Sequence, residues 1–232
     1  MARRQPEQQA PPVQRLRIRY AKRGRLRFTS HRDFGRAFER ALRRAGIPMA
    51  YSSGFSSHPR ISYATASPTG AASEAEYLEI ALAEVCDPEK VRTELDAALP
   101  TGLDVLGVVE SDRVSLADRL TGSLWRIGLP GVERRVIDDA VATFLAAESA
   151  PTERMTKNGL RTFDARASVI RLEAEDGGLR LVTEHQAPLV RPDDVLGAMT
   201  RLDPDFAPQL PQITRLAQGE IDHTNGAITE PF

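Results

Sequence analysis

The chain has 232 residues, of which 41 % are hydrophobic and 27 % are charged, and its formal net charge is −1. No apolar run approaches the roughly 18 residues that a membrane-spanning helix requires. A single cysteine, Cys86, excludes an intramolecular disulfide and any multi-cysteine metal or iron–sulfur site within one chain. These features predict a globular cytoplasmic protein that carries no cofactor and does not interact with membranes.

The near-neutral total conceals a strong separation of charge along the sequence. The first sixty positions hold fifteen of the thirty-one Lys and Arg residues but only three acids, Glu7, Asp33 and Glu39, which gives them a net charge of +12. The remainder carries −13. A basic block of this size indicates an anionic partner, with nucleic acid as the first candidate. The alternative is intramolecular, with the basic half docked on the acidic half.

The first elements alternate between basic and apolar residues. Residues 1–13 are polar and predict a flexible leader. From Arg15 to Tyr20, Arg alternates with apolar residues, which predicts a half-buried strand. After an interruption at Lys22-Arg23-Gly24, the alternation resumes at Arg25-Leu26-Arg27-Phe28 and predicts either a bulged continuation of the strand or a short hairpin.

A helix is predicted to begin after Ser30, with Asp33 in the capping-box position and Gly46 at its end. Its apolar stripe contains Phe34, Phe38 and Leu42. The opposite face carries a row of arginines, hereafter the arginine ladder: Arg32, Arg36, Arg40, Arg43 and Arg44. Solvated helix faces usually mix both signs of charge, whereas this face carries almost no acid. The ladder therefore favours an anion-binding surface over an ordinary solvated face.

The later pattern predicts an α+β fold made of two tandem ferredoxin-like (split βαβ) modules. Residues 14–110 would form a basic module and residues 122–219 a second, acidic one, joined near 111–121. Residues 220–232 would form a loose tail. A single continuous α+β sheet is the alternative architecture.

Candidate phosphate-binding residues concentrate within the basic module. Helix starts offer free N–H groups to a phosphate, and guanidinium groups grip its oxygens in pairs. Phe55 and Tyr51 offer stacking faces to unpaired bases, and Gly54 permits close backbone approach. The candidates are Arg17, Arg19, Lys22, Arg25, Arg27, Ser30, Arg32, Arg36, Arg40, Arg43, Arg44, Gly54, Phe55 and Arg60.

His31 and His58 are the two histidines of the basic region and the candidates for catalysis. Beside a phosphate they could act as general base and general acid in RNA cleavage, but a local helix-start contact and a His-Pro turn explain them more simply. In the second module, Asp164 and Arg166 would point to one side of a strand, either as a surface ion pair or as a carboxylate that orients a ligand-facing arginine. No metal-ligand spacing is present.

Several motifs resemble a bacterial protein family described as "radical SAM-linked", whose members occur alone or fused behind a radical SAM domain. The resemblance lies in Arg27-Phe28-x-Ser30-His31-x-Asp33, in Gly54-Phe55-x-x-His58-Pro59 and in Asp164-x-Arg166, and it spans about residues 14–218. Ser57 stands where the family usually has Pro, and Pro68-Thr69-Gly70 replaces its usual Pro-Leu-Gly. The resemblance implies a separate radical SAM enzyme as partner, since one cysteine cannot supply the three thiolates of a radical SAM cluster.

Three functions compete on this basis. The first is a non-catalytic accessory protein that binds structured RNA, of the tRNA or rRNA class, and works with the radical SAM enzyme. The second is a metal-independent RNA-processing endonuclease with His31 and His58 as the acid–base pair. The third is an adaptor whose basic half binds an acidic surface of the enzyme.

Overall fold

The computed structural model describes residues 8–112, 114–156 and 159–232, and the first seven residues of the predicted leader lie outside this range. The chain has an α+β fold and divides into two compact units. Unit 1 runs to Asp118 and includes Phe232, and unit 2 comprises Arg119–Pro231. No helix among the described residues is both long enough and apolar enough to cross a membrane.

Unit 1 contains four strands and two long helices. Its sheet has the order β4-β1-β3-β2, and all of its neighbouring strands are antiparallel. The elements are β1 (Gln14–Lys22), a 3₁₀ turn (Gly24–Phe28), α1 (His31–Arg44), β2 (Ile61–Tyr63), β3 (Ala72–Leu82), α2 (Pro88–Ala98) and β4 (Leu103–Glu110). The short helix α3 (Leu116–Arg119) follows.

The core of unit 1 lies between one face of this sheet and the two long helices. The alternation of β1 places Leu16, Ile18 and Tyr20 on that face, where all three are buried. Phe34 of α1 stacks on Tyr20 with ring centroids 4.7 Å apart, and α2 adds Val91 and Leu95 to the same cluster. The arginines of β1 consequently project from the opposite face.

The predicted strand at Arg25–Phe28 is wrong. Gly24 has φ +54°, a left-handed conformation that turns the chain after β1, and 3₁₀ hydrogen bonds then run from Leu26 N–H to the Arg23 carbonyl and from Thr29 N–H to the Leu26 carbonyl. Leu26 still packs against the core. Phe28, which strand alternation would bury, is 59 % exposed.

Unit 2 has a four-stranded antiparallel sheet in the order β10-β5-β9-β8 and a separate β6-β7 hairpin. Its elements are β5 (Gly122–Gly128), α4 (Arg134–Ala146), β6 (Pro151–Thr156), β7 (Gly159–Asp164), a 3₁₀ turn (Arg166–Ser168), β8 (Val169–Glu175), β9 (Gly178–Glu184), α5 (Pro192–Leu202), β10 (Gln212–Ile221) and β11 (Ile228–Thr229).

The prediction of a loose tail from residue 220 is wrong. Strand β10 continues to Ile221, and β11 returns antiparallel to it, pairing Glu220 with Thr229 and Ile221 with Ile228. The turn between them is closed by a hydrogen bond from Gly226 N–H to the Asp222 carbonyl. Backbone pairing across this hairpin orders a segment whose composition is that of a loop.

Candidate nucleic-acid interface

Two arginines of β1, Arg15 and Arg17, are paired with acids of unit 1. Arg17 is 2 % exposed, its Nη2 lies 2.6 Å from Asp112 Oδ1, and its Nε lies 3.7 Å from Glu79 Oε2. Glu79 sits directly opposite Arg17 on β3 and also pairs with Arg15 at 2.9 Å. A charge this deeply buried requires such partners. Arg17 therefore does not belong to an exposed phosphate-binding surface.

Basic side chains at and just after the end of β1 are also engaged within unit 1. Arg19 Nε donates to the backbone carbonyl of Glu74 at 3.0 Å. Lys22 is 6 % exposed and its Nζ lies 3.5 Å from the Ser67 carbonyl oxygen. Arg23 bridges Glu74 and Asp104, and these carboxylates hold the pKa of Arg23 above its usual range. Arg15, Arg17 and Arg23 are therefore balanced by later acids of the same unit.

The arginine ladder of α1 behaves differently. All five of its side chains are exposed. Within the part of the chain that the structure describes, none of the five makes a hydrogen bond or an ion pair. The two acids of α1 do not balance the five charges of the ladder. Asp33 is hydrogen-bonded to Ser30 at the helix start, and Glu39 is the only other acid of the helix. The ladder is consequently an uncompensated strip of positive charge along the solvent-facing side of α1.

Local sequence explains why α1 presents this strip. Ser30 Oγ accepts the backbone N–H of Asp33 at 3.2 Å and donates to the Asp33 carboxylate at 2.7 Å, which caps the helix. Phe34 and Phe38 recur at helical spacing and are both buried. With that stripe held against the sheet, residues displaced by about half a turn must face solvent. Ser30 is thus engaged as a cap.

A shallow recess borders the second half of the ladder. It lies between α1 and the end of α2, has a volume of about 210 Å³, and is lined by Arg40, Arg44, Leu99 and Pro100 among others. Its lining combines these two arginines with small and apolar residues. A phosphate oxygen entering this recess would meet donors from two successive turns of α1.

The 3₁₀ turn before α1 adds three exposed or half-exposed side chains. Arg25 is exposed and makes no hydrogen bond or ion pair with any described residue. The Arg27 guanidinium lies over the Phe28 ring, with its central carbon 4.8 Å from the ring centroid. The Nε of Arg27 is buried and has no hydrogen-bond partner among the described residues. Sequence alternation missed this arrangement because it placed Phe28 in the core.

The loop with the G-F-x-x-H-P motif is a closed structure with an exposed tip. Ser52 N–H donates to the His58 carbonyl at 2.9 Å, and His58 N–H donates to Ser52 Oγ at 3.0 Å. Gly54 has φ +134°, which favours glycine, and Phe55 beside it is 73 % exposed. At the base of the loop, Arg60 Nε is held by the Tyr51 carbonyl at 3.1 Å, so its guanidinium is partly engaged.

The two candidate catalytic histidines are both exposed, and no hydrogen bond or ring contact joins them among the described residues. The His31 ring meets Tyr63 edge-on at 4.9 Å. Sequence reasoning missed Tyr63, whose hydroxyl is buried and has no hydrogen-bond partner among the described residues. Burial, aided by nearby Glu39, raises the pKa of Tyr63 to about 12. An aromatic in a short strand carried no signal that distinguished it from an ordinary core residue.

In unit 2, Asp164 and Arg166 do not face one side of a strand, because β7 ends at Asp164 and Arg166 begins a 3₁₀ turn. Asp164 Oδ1 accepts the N–H groups of Ala150 at 2.8 Å and of Arg166 at 2.9 Å. The Arg166 guanidinium donates to the Val169 carbonyl at 3.1 Å. This motif therefore closes a backbone turn. The described residues contain no cluster of three or more His, Cys, Asp or Glu side chains that could hold a metal ion.

Comparison with known proteins adds a family match. The model of a family described as "Uncharacterized protein conserved in bacteria (DUF2344)" matches residues 15–192. No curated protein shows significant sequence similarity. A crystal structure of an unknown protein from Galdieria sulphuraria is similar at 18 % identity, covering 90 % of this chain and 99 % of that one, but its TM-score of 0.27 supports no inference. None of these descriptions mentions a radical SAM enzyme, so that partnership stays a prediction.

Proposed function

The chain belongs to a family of uncharacterised proteins conserved in bacteria, and we propose that it is a non-catalytic RNA-binding protein whose arginine ladder grips the phosphate backbone. One observation carries this proposal. Arg15 and Arg17 of β1 are paired with acids of their own unit, whereas the five exposed arginines of α1 have no partner among the described residues. Leaving five like charges unbalanced on one helix is unfavourable unless an anion binds there.

The geometry of the ladder suits a nucleic-acid backbone. Successive ladder positions on α1 lie about 6 Å apart along the helix axis, because four residues rise by about 1.5 Å each. That spacing is close to the distance between adjacent phosphates of a single strand. Guanidinium groups also bind phosphate oxygens in a bidentate manner. The ladder can therefore contact several phosphates in succession.

We further infer that both units are ferredoxin-like modules. The order β4-β1-β3-β2 in unit 1, with α1 and α2 as crossovers, is that of the split βαβ plan. In unit 2 the order β10-β5-β9-β8 repeats it, with the β6-β7 hairpin inserted after α4. The plan is compatible with many activities, so the RNA proposal depends on the ladder and not on the fold.

The partnership with a separate radical SAM enzyme is the further part of this proposal. Its support is the resemblance carried by Ser30-His31-x-Asp33 and Gly54-Phe55-x-x-His58-Pro59. Co-purification of the two proteins that persists after nuclease treatment would show a direct contact. Co-purification that nuclease abolishes would show that the two proteins are connected only through a shared RNA.

The test of RNA binding is a titration of bulk tRNA with the full chain between about 50 and about 200 mM salt. Five phosphate contacts give a log–log slope of about −3.5 for single strands to about −4.5 for duplex. The Arg32→Gln/Arg36→Gln/Arg40→Gln variant should lose most of the affinity and reduce the slope by about 2 to 3.

A matched control removes the same amount of charge elsewhere. The Arg92→Gln/Arg134→Gln/Arg135→Gln variant also loses three helical arginines, but each of these is paired with a carboxylate. It should bind tRNA as the wild type does. Equal losses in the two variants would indicate a response to net charge alone, and unchanged affinity in the ladder variant would contradict the proposal.

A further inference from the structure

We propose that Phe28, backed by Arg27, is a stacking platform for an unpaired RNA base, which makes single-stranded RNA the preferred ligand of the arginine ladder. This inference rests on the proposed function. It begins with exposure: of the eight phenylalanines, Phe28 and Phe55 are the most exposed, at 59 % and 73 %. Both lie in the basic region, outside the core that holds Phe34 and Phe38. Exposed aromatic side chains next to basic residues, as Phe28 is next to Arg27, are typical of single-strand binding.

The backbone holds Phe28 in place instead of leaving it on a loose loop. The Gly70 N–H donates to the Arg27 carbonyl at 2.8 Å, and Gly70 lies near the Phe28 ring, such that a Cβ added at this position would be 3.9 Å from it. The turn at Pro68–Ala71 therefore lies beside one edge of the ring. A ring flanked by Arg27 and by this turn has less side-chain freedom to lose on base stacking than a ring on an open loop.

Arg27 supplies the second element of the platform. Its guanidinium covers one part of the Phe28 ring at 4.8 Å from the centroid. Its Nε is buried but has no hydrogen-bond partner among the described residues, which is unfavourable in the free protein. A nucleotide stacked on Phe28 would bring phosphate or base oxygens close to the Arg27 guanidinium, which lies over the ring.

The position in the chain connects the platform with the ladder. Phe28 precedes the N-cap Ser30 by two residues, and Arg32, the first ladder residue, lies in the first turn of α1. A single strand that follows the ladder can therefore place one base at the start of α1. A duplex would keep its bases stacked inside and could not use the ring.

The experiment compares two oligonucleotides of equal length and charge, a single-stranded uridine oligomer and its abasic counterpart. The wild type should bind the base-bearing strand about tenfold more tightly than the abasic strand. Phe28→Leu should remove that preference while leaving affinity for the abasic strand unchanged. Val85→Ala, which alters another exposed apolar residue of unit 1, is the matched control and should keep the preference.

A second variant gives a direct optical signal. Phe28→Trp adds an exposed indole to a protein whose single tryptophan, Trp125, is buried, and its fluorescence should be quenched by the uridine oligomer but not by the abasic one. Equal binding of both strands by the wild type, with ladder dependence intact, would overturn the stacking inference alone. Failure of the wild type to bind either strand would overturn the RNA proposal as well.

Discussion

The buried charge of Arg17 gives the sharpest test of how the structure separates paired from unpaired arginines. Arg17 lies opposite Glu79 in the sheet and contacts Asp112 at 2.6 Å and the Val114 carbonyl. If Arg17 stabilises the sheet and does not bind RNA, its substitution should change the free energy of unfolding but not the affinity for tRNA.

The expected losses in the free energy of unfolding follow from how exposed each partner of Arg17 is. Removing one partner of a buried pair costs about 3–5 kcal/mol, but Arg17 keeps Asp112 in a Glu79→Gln variant, so we expect a loss of about 2–3 kcal/mol. Arg17→Met replaces the buried cation by an apolar side chain of similar volume. Glu79 then keeps Arg15 at 2.9 Å and Asp112 is 44 % exposed, so the loss should be about 1 kcal/mol.

The assay is urea unfolding followed by far-UV circular dichroism, with tRNA affinity measured on each variant. The double variant Arg17→Met/Glu79→Gln should be more stable than Glu79→Gln alone, because it leaves no unpaired buried charge. Two results would refute the reasoning: Arg17→Met being the most destabilised variant, or Arg17→Met weakening tRNA binding while stability stays unchanged.

Two further predictions concern other parts of the molecule. Burial, and to a lesser degree nearby Arg215, lowers the pKa of His185, whose Nε2 lies 2.8 Å from Ser123 Oγ; the unfolded chain then binds the proton more readily, so stability should fall as the pH drops below about 6.5. Urea midpoints followed by Trp125 fluorescence should show this loss in the wild type and a flatter profile in His185→Gln. Ser30→Ala removes the cap of α1 and should cost about 1 kcal/mol in thermal unfolding, whereas Ser30→Thr should restore most of it.

The helix that carries the ladder was predictable from the sequence because all of its determinants are local. The cap Ser30, the buried Phe34 and Phe38 and the arginines between them lie within one helical segment. Their spacing alone decides which side chains share a face. The same is true of β1, whose alternation correctly indicates one apolar and one basic face.

The structure of short segments was harder to predict, because four residues of alternation do not distinguish a strand from a turn. At Arg25–Phe28 the decisive feature is the left-handed Gly24, which redirects the chain before pairing can continue. The prediction for the last residues of the chain was wrong for the opposite reason. Its polar composition resembles a loop, but antiparallel pairing of β11 with β10 supplies the backbone hydrogen bonds that order it.

By itself, the sequence determined that basic residues would line one face of β1 and one face of α1. Only the tertiary structure decided that, among the described residues, acids pair with arginines on the β1 face but not with those on the α1 face. Long-range pairing brings Glu79 and Asp112 to Arg17 across 62 and 95 residues of chain, so the charge of Arg17 is compensated and buried. Nothing equivalent reaches the ladder of α1 among the described residues, because that face points away from the sheet where the acids lie. Periodicity reports which residues share a face, whereas compensation of charge depends on which distant residues the fold brings opposite them.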